Sequence, residues 1–169
     1  MLVLGLDPGL ASTGYGLVRG DGQKLELVAY DVIRTPANIT TTERLILLRQ
    51  ELSEVIAAYR PDAAAVEQVF FGANARTAMI VGQAVGVLLL TLAEAGLQIA
   101  EYTPPQVKQA ITGYGRASKS QVQQMVAILL GLSDLPRPQD AADALAVSIC
   151  HHHSAWLATL SRAQSRVDQ

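Results

Sequence analysis

The chain has 169 residues, half of them hydrophobic, with thirteen Lys and Arg against fifteen Asp and Glu and a formal net charge of −2. That length and hydrophobic content support one buried core and exclude a disordered chain. The charge balance excludes a uniformly basic coat for nucleic acid but leaves room for a local basic face. The single cysteine, Cys150, rules out a disulfide framework and a CxxC zinc site. The longest apolar run, residues 85–92, falls far short of the ~20 residues that span a bilayer. The first apolar run breaks too early, at Asp7-Pro8-Gly9, for a signal peptide. A cytoplasmic protein with no membrane role is expected.

Residues 2–6 (Leu-Val-Leu-Gly-Leu) read as a buried strand that ends at Asp7. Residues 13–18 and 25–33 read as two more strands around a Gly20-Asp21-Gly22 turn, completing an antiparallel meander. Thr40 and Glu43 have capping-box spacing. Leu45, Leu48, Leu52, Val55, Ile56 and Tyr59 then recur at helical period, which predicts a helix over 41–59 stopped before Pro61. Residues 63–66 form a short apolar strand that ends at Glu67. An Ala- and Gly-rich helix is predicted over 75–95, with Gly96 as its stop. A fifth strand follows at 98–102, and Pro104-Pro105 opens a short helix to about residue 111. The stretch 112–118 carries two glycines and reads as a loop. Ser118 and Gln121 repeat the capping-box spacing and open a helix to about residue 130. The last helix is placed at 140–152, with polar, frayed residues beyond 158. Strands alternating with helices after a meander predict an α/β fold with a five-stranded mixed sheet. One domain is expected over 1–158, with a flexible tail at 159–169.

The position of the acids is the informative feature. Asp7 and Glu67 each end an apolar strand. Asp140 and Asp143 sit three residues apart at the start of an apolar helix, where they share one face. Carboxylates in such surroundings are usually paired or bind a metal. Strand ends of this kind are where open α/β sheets bind ligands. Four converging carboxylates repel one another unless cations lie between them. Oxygen-only ligands select Mg²⁺ or Mn²⁺. Two such ions roughly 3.5–4 Å apart are a device for phosphodiester cleavage. Taken singly, each acid could equally be a helix cap or a salt-bridge partner, Asp140 above all.

The stretch 103–133 contains no acid but carries Lys108, Arg116 and Lys119, and Arg76 lies in a second acid-free stretch, 68–93. The Ser118-Lys119-Ser120 helix start adds backbone donors suited to phosphate. This is either an ordinary solvated surface or the rim that holds a polyanion beside the acids. Phe70-Phe71 follows Glu67, in a position either to stack on an unpaired base or to pack into the core or a dimer contact. The run His151-His152-His153 reads as surface and helix-end residues, since three consecutive side chains cannot face one ion. Cys150 reads as a small core residue.

Ordered motifs along nearly the whole chain resemble the RuvC-type Holliday-junction resolvases. They are Gly5-Leu6-Asp7-Pro8-Gly9, Thr13-Gly14-Tyr15-Gly16, Ala65-Val66-Glu67-Gln68-Val69-Phe70, Gly82-Gln83-Ala84 with Gly86, Thr103-Pro104 through Val107-Lys108, the stretch 113–119, and Asp140-Ala141-Ala142-Asp143-Ala144. The resemblance implies an RNase-H-like fold and a homodimer. It also implies symmetric nicking of four-way junction DNA with two Mg²⁺ per site (Mn²⁺ substituting), leaving 5′-phosphate and 3′-hydroxyl ends. Asp7, Glu67, Asp140 and Asp143 carry over as metal ligands and catalytic residues. Lys108 and Lys119 carry over as DNA contacts, and Phe70 as a base-stacking aromatic. A junction-binding protein and its hexameric motor ATPase are the implied partners. Phe71, Ala73 and Gln139 receive no role. Three other readings of the residues stay open: a junction-binding module without catalysis, a related nuclease acting on RNA, and an actin-like ATPase fragment. The last needs a second similar half, for which 169 residues leave no room.

Overall fold

The computed structural model describes residues 1–21, 24–69 and 75–167; of 75–77 and 159–167 it gives the backbone. Apolar alternation builds five strands: β1 (Leu2–Asp7), β2 (Ser12–Gly20), β3 (Leu25–Arg34), β4 (Ala63–Glu67) and β5 (Gln98–Tyr102). Helical periodicity builds α1 (Thr41–Tyr59), α2 (Ala75–Glu94), α3 (Pro104–Thr112), α4 (Lys119–Leu129) and α5 (Gln139–Val167). The strands form one sheet in the order β3-β2-β1-β4-β5. The first three pair antiparallel, while β1–β4 and β4–β5 pair parallel. The mixed sheet flanked by helices agrees with the expectation.

Capping chemistry sets the helix starts. Thr40 with Glu43 and Ser118 with Gln121 both close the reciprocal boxes that their spacing predicts. Thr103 with Gln106 closes a third, ahead of α3. The last helix is longer than expected, because its backbone stays helical through Val167.

Alternation along the strands gives the sheet two apolar faces. Leu4, Leu6, Leu17, Ala64 and Val66 pack against Leu48 and Leu52 of α1 and Leu88 and Leu92 of α2. Val3, Val18 and Ala65 pack against α5 through Leu145, Ile149 and Cys150, with α3 and α4 behind. Each fully buried leucine contributes about 2 kcal/mol. The register between β1 and β4 is pinned at its start, where the Leu2 N–H donates to Asp62 Oδ2 at 2.6 Å and the Asp62 N–H donates to the Leu2 carbonyl at 2.8 Å.

The His run is corrected by α5. His152 is 1% exposed and its Nε2 lies 3.0 Å from the Val18 carbonyl. His151 Nδ1 meets the Tyr102 hydroxyl at 3.0 Å, and His153 Nδ1 meets the Ala110 carbonyl at 3.1 Å. These are mid-helix packing residues, not helix-end surface. The helical spacing of Leu145, Ser148 and His152, all buried, carries the signal that places His152 on the sheet face.

Small residues bring α5 onto the sheet. A Cβ on Gly5 would stand 2.2 Å from the Ala144 carbonyl oxygen, and one on Gly14 would stand 1.9 Å from that of Asp140. Backbone cannot yield there as a flexible side chain would. Gly14→Ala is therefore expected to push away the start of α5. We expect a loss of about 1–3 kcal/mol in chemical denaturation and a larger proportional loss of activity. An unchanged unfolding midpoint would refute the close approach.

Candidate active site

The sheet topology brings the strand-end acids together. The β1–β4 register pairs Leu6 with Val66, so Asp7 and Glu67 are the next residues along two neighbouring parallel strands. Both follow the parity of Val3 and Ala65, which face α5. The start of α5 crosses the same end of the sheet and supplies Asp140 and Asp143. The lysines come from the two helices packed beside α5 on the same face: α3 carries Lys108 and the start of α4 carries Lys119. A cavity of about 200 Å³ is lined by Glu67, Asp143, Lys108 and Lys119 with Val107 and Val122.

The charges in this site are mutually coupled. Burial pushes the Asp7 carboxyl up to about 8, and Glu67, Asp143 and Asp140 push it the same way, while Lys119 opposes them. Burial also raises Glu67 to about 7, again with Asp143 adding and with Lys119 and Lys108 opposing. Lys119 is held above its ordinary range, first by its hydrogen bond to Asp143. That contact, Nζ to Oδ2, is 3.1 Å; the lysine side chain is 71% exposed and the aspartate 16%. One end of the pair is thus solvated and exchangeable, and it contributes little to stability.

Two further side chains hold the helix acids, and the sequence reading gave neither a role. Gln139 Nε2 donates to Asp143 Oδ1 at 3.2 Å. The Ser12 hydroxyl donates to Asp140 Oδ2. A glutamine four residues before Asp143 on a helix was a readable signal. Ser12 was not readable, because 128 positions separate it from its partner.

The loop after Asp7 is fixed from several directions. Thr13, fully buried, receives the Gly9 N–H at 3.3 Å and donates to the Gly9 carbonyl at 2.5 Å. Thr35 donates to the Leu10 carbonyl at 2.5 Å and itself receives Arg44 Nε at 2.8 Å. Asp7 therefore sits on a rigid platform.

All-oxygen donors with this degree of mutual repulsion fit hard divalent cations. The acids gather at one end of the sheet without closing into a coordination sphere. Among the described residues, no three carboxylate, imidazole or thiol groups stand close enough to hold one ion.

Of the remaining predicted residues, only Arg116 has a described side chain. Arg116 is exposed in the α3–α4 loop. Arg76 lies in the first turn of α2, with its side chain outside the described residues, and Phe70 lies outside them altogether. A larger cavity of about 800 Å³ opens between α3 and α5 and is lined by Tyr102, Cys150 and Trp156, but by no carboxylate, lysine or arginine. Among the described residues no helix is long and apolar enough to cross a membrane.

Comparison with known proteins identifies the family. The family model described as crossover junction endodeoxyribonuclease RuvC matches residues 3–151. The RuvC protein of Syntrophomonas wolfei is 53% identical over 154 residues, 91% of this chain and 90% of that one. The RuvC protein of Heliobacterium modesticaldum is 54% identical over 91% of this chain and 95% of its own. The Thermus thermophilus RuvC solved in complex with Holliday junction substrate superposes with a TM-score of 0.89 at 39% identity, covering 94% of this chain and 97% of that one. The yeast mitochondrial resolvase Ydc2, 14% identical with a TM-score of 0.67, shares the fold. With a family model matched over residues 3–151 and relatives more than 50% identical over most of their length, the chain belongs to the RuvC family of crossover junction endodeoxyribonucleases.

Proposed function

We propose that this protein resolves four-way DNA junctions by paired, symmetric hydrolytic nicks that depend on divalent cations, acting as a homodimer in the cytoplasm. The observation that carries the reading is the meeting of Asp7 and Glu67 on adjacent strand ends with Asp140 and Asp143 of α5, beside Lys108 and Lys119. Asp7, Glu67, Asp140 and Asp143 would hold Mg²⁺, two ions per site, with Mn²⁺ as a substitute. Such ions, when bound, lower the pKa of water and steady the leaving oxygen of an in-line displacement.

The chain's own residues supply the rest. The rigid loop after Asp7 fixes one carboxylate, and the Gly14 contact fixes the helix that carries two more. Lys119 reaches the acids from the rim and, once Asp143 turns to an ion, is free to hold a phosphate oxygen. Lys108 draws the backbone into the cavity, with Arg116 and Arg76 as more distant contacts and Phe70 as the stacking group. Water attacks phosphorus, the bond from phosphorus to the 3′ oxygen breaks, and that oxygen takes up a proton. The products are 5′-phosphate and 3′-hydroxyl ends.

A second copy of the chain fits α2. Its outer face exposes Met79 (69%) and Leu90 (55%), and among the described residues nothing beyond the helix's own backbone comes within 4 Å of a Cβ placed on Gly82 or Gly86. The junction-binding protein and hexameric motor ATPase belong to the same reading, on family membership alone.

The test is cleavage of a supercoiled plasmid bearing an extruded cruciform. The wild-type chain is expected to give linear product with Mg²⁺ or Mn²⁺ and none with chelator. Leu90→Glu is expected to give a monomer that leaves open circles, one nick at a time. Binding without cutting would favour a junction-binding module, and faster cutting of structured RNA would favour a ribonuclease.

A further inference from the structure

We infer that Ser12 is a positioning residue for the nuclease reaction: its hydroxyl fixes the Asp140 carboxylate through one oxygen and leaves the other for a divalent ion. The inference rests on the reading of Asp140 as a metal ligand.

The two acids of α5 are held in different ways. Asp143 has both oxygens engaged, Oδ2 by the Lys119 ammonium and Oδ1 by Gln139. Asp140 is held by the neutral hydroxyl of Ser12 on Oδ2, and no other partner meets its carboxylate among the described residues. A hydroxyl donor takes up one lone pair of a carboxylate and leaves its negative charge in place. Ser12 therefore orients Asp140 without competing with a cation, whereas Lys119 must give way to one.

Ser12 is suited to this task because its own backbone cannot drift. It opens β2 and pairs with Arg34 of β3. Its neighbour Thr13 is fully buried and clamps Gly9 from both sides. The Thr35 N–H holds the Ala11 carbonyl at 3.3 Å. Two residues further on, Gly14 lies flush against the Asp140 carbonyl. Serine 12 thus presents a hydroxyl with one free torsion from a fixed strand to a side chain that could otherwise swing among its rotamers. Partners of this kind around ligating carboxylates typically matter 10–100-fold in metal affinity.

The experiment measures Mn²⁺ binding to the intact protein by calorimetry and by electron paramagnetic resonance of the free ion. It also follows cruciform cutting against Mg²⁺ concentration. Ser12→Ala is expected to weaken one Mn²⁺ site about tenfold. It should raise the Mg²⁺ needed for half-maximal cutting to a similar degree, and leave the rate at saturating Mg²⁺ within about threefold. Ser12→Thr, which keeps the hydroxyl, should restore both. Asp140→Asn serves as the reference. If Asp140→Asn loses a Mn²⁺ site while Ser12→Ala binds as wild type, the role of Ser12 is refuted and the ligand reading stands. If Asp140→Asn itself binds both ions normally, the underlying reading fails. A Ser12→Ala defect that Ser12→Thr leaves unrepaired, or that follows a fall in melting temperature, makes Ser12 merely structural and overturns the proposal.

Discussion

Asp7→Asn is expected to abolish nicking, leave junction binding nearly unchanged, and make the metal-free protein more stable. The first outcome follows from position. Asp7 lies against Glu67 on the neighbouring strand and feels both acids of α5. Loss of a central ligand removes several kcal/mol of transition-state stabilisation, about 10³-fold or more in rate. The DNA contacts proposed for Lys108 and Arg116 are left untouched. The third outcome follows from linkage. Burial holds the Asp7 carboxyl of the folded chain at about 8, far above its ordinary 3.8. A raised carboxyl favours the folded state below the unfolded value and loses that advantage as pH rises toward the folded one. At pH 7 the ionisable side chain therefore costs up to about 4 kcal/mol relative to a group with no such shift. Asparagine takes up no proton on folding and so escapes that cost, and the melting temperature measured with chelator should rise by roughly 5 °C or more. Near-normal cutting by the variant would refute the assignment of Asp7, and a lower melting temperature would refute the electrostatic account.

The affinity for divalent ions is expected to climb steeply with pH. Asp7 and Glu67 both hold protons in the ion-free protein until about pH 8 and pH 7 respectively. An ion requires both carboxylates ionised, so binding expels those protons. Each expelled proton gives about a tenfold gain in apparent affinity per pH unit below the group's own pKa. The slope should be steepest below pH 7, shallower between 7 and 8, and flat above. At limiting Mg²⁺, cutting should fall away as pH drops through this window, and excess Mg²⁺ should move the fall to lower pH. Calorimetry in buffers of different ionisation enthalpy counts the released protons directly. Asp7→Asn should release fewer. A pH-independent affinity between 6 and 8 would show that burial and crowding do not set the charge state of these acids.

What could be read from the sequence followed physical locality. Asp7 and Glu67 stood out because each closes an apolar strand, and Asp140 and Asp143 because three residues place two acids on one helix face. The capping boxes were legible because their partners are three residues apart. Gly14 was readable as part of a motif but not as a contact, since its neighbour is the Asp140 carbonyl. Ser12 carried no signal at all, because a hydroxyl at a strand start is unremarkable until its partner is known. His152 escapes notice when the three histidines are taken as a run, and only the buried spacing from Leu145 through Ser148 places it on the sheet face. The pairing of Asp143 with Lys119 likewise depends on how α4 docks beside α5, which no local pattern encodes.

The seam between β1 and α5 also decides the order in which the four acids can meet. Val3 and Ala65 bury themselves against Leu145 and Ile149, and Ser148 donates to the Val3 carbonyl at 3.0 Å. Among the described elements β1 is synthesised first and α5 last. While α5 is still inside the ribosome, Asp7 and Glu67 stand at the margin of an uncovered sheet, with half of their acidic company missing. The four acids therefore come together only once α5 has packed onto the sheet, because Asp7 and Glu67 belong to β1 and β4 while Asp140 and Asp143 belong to α5.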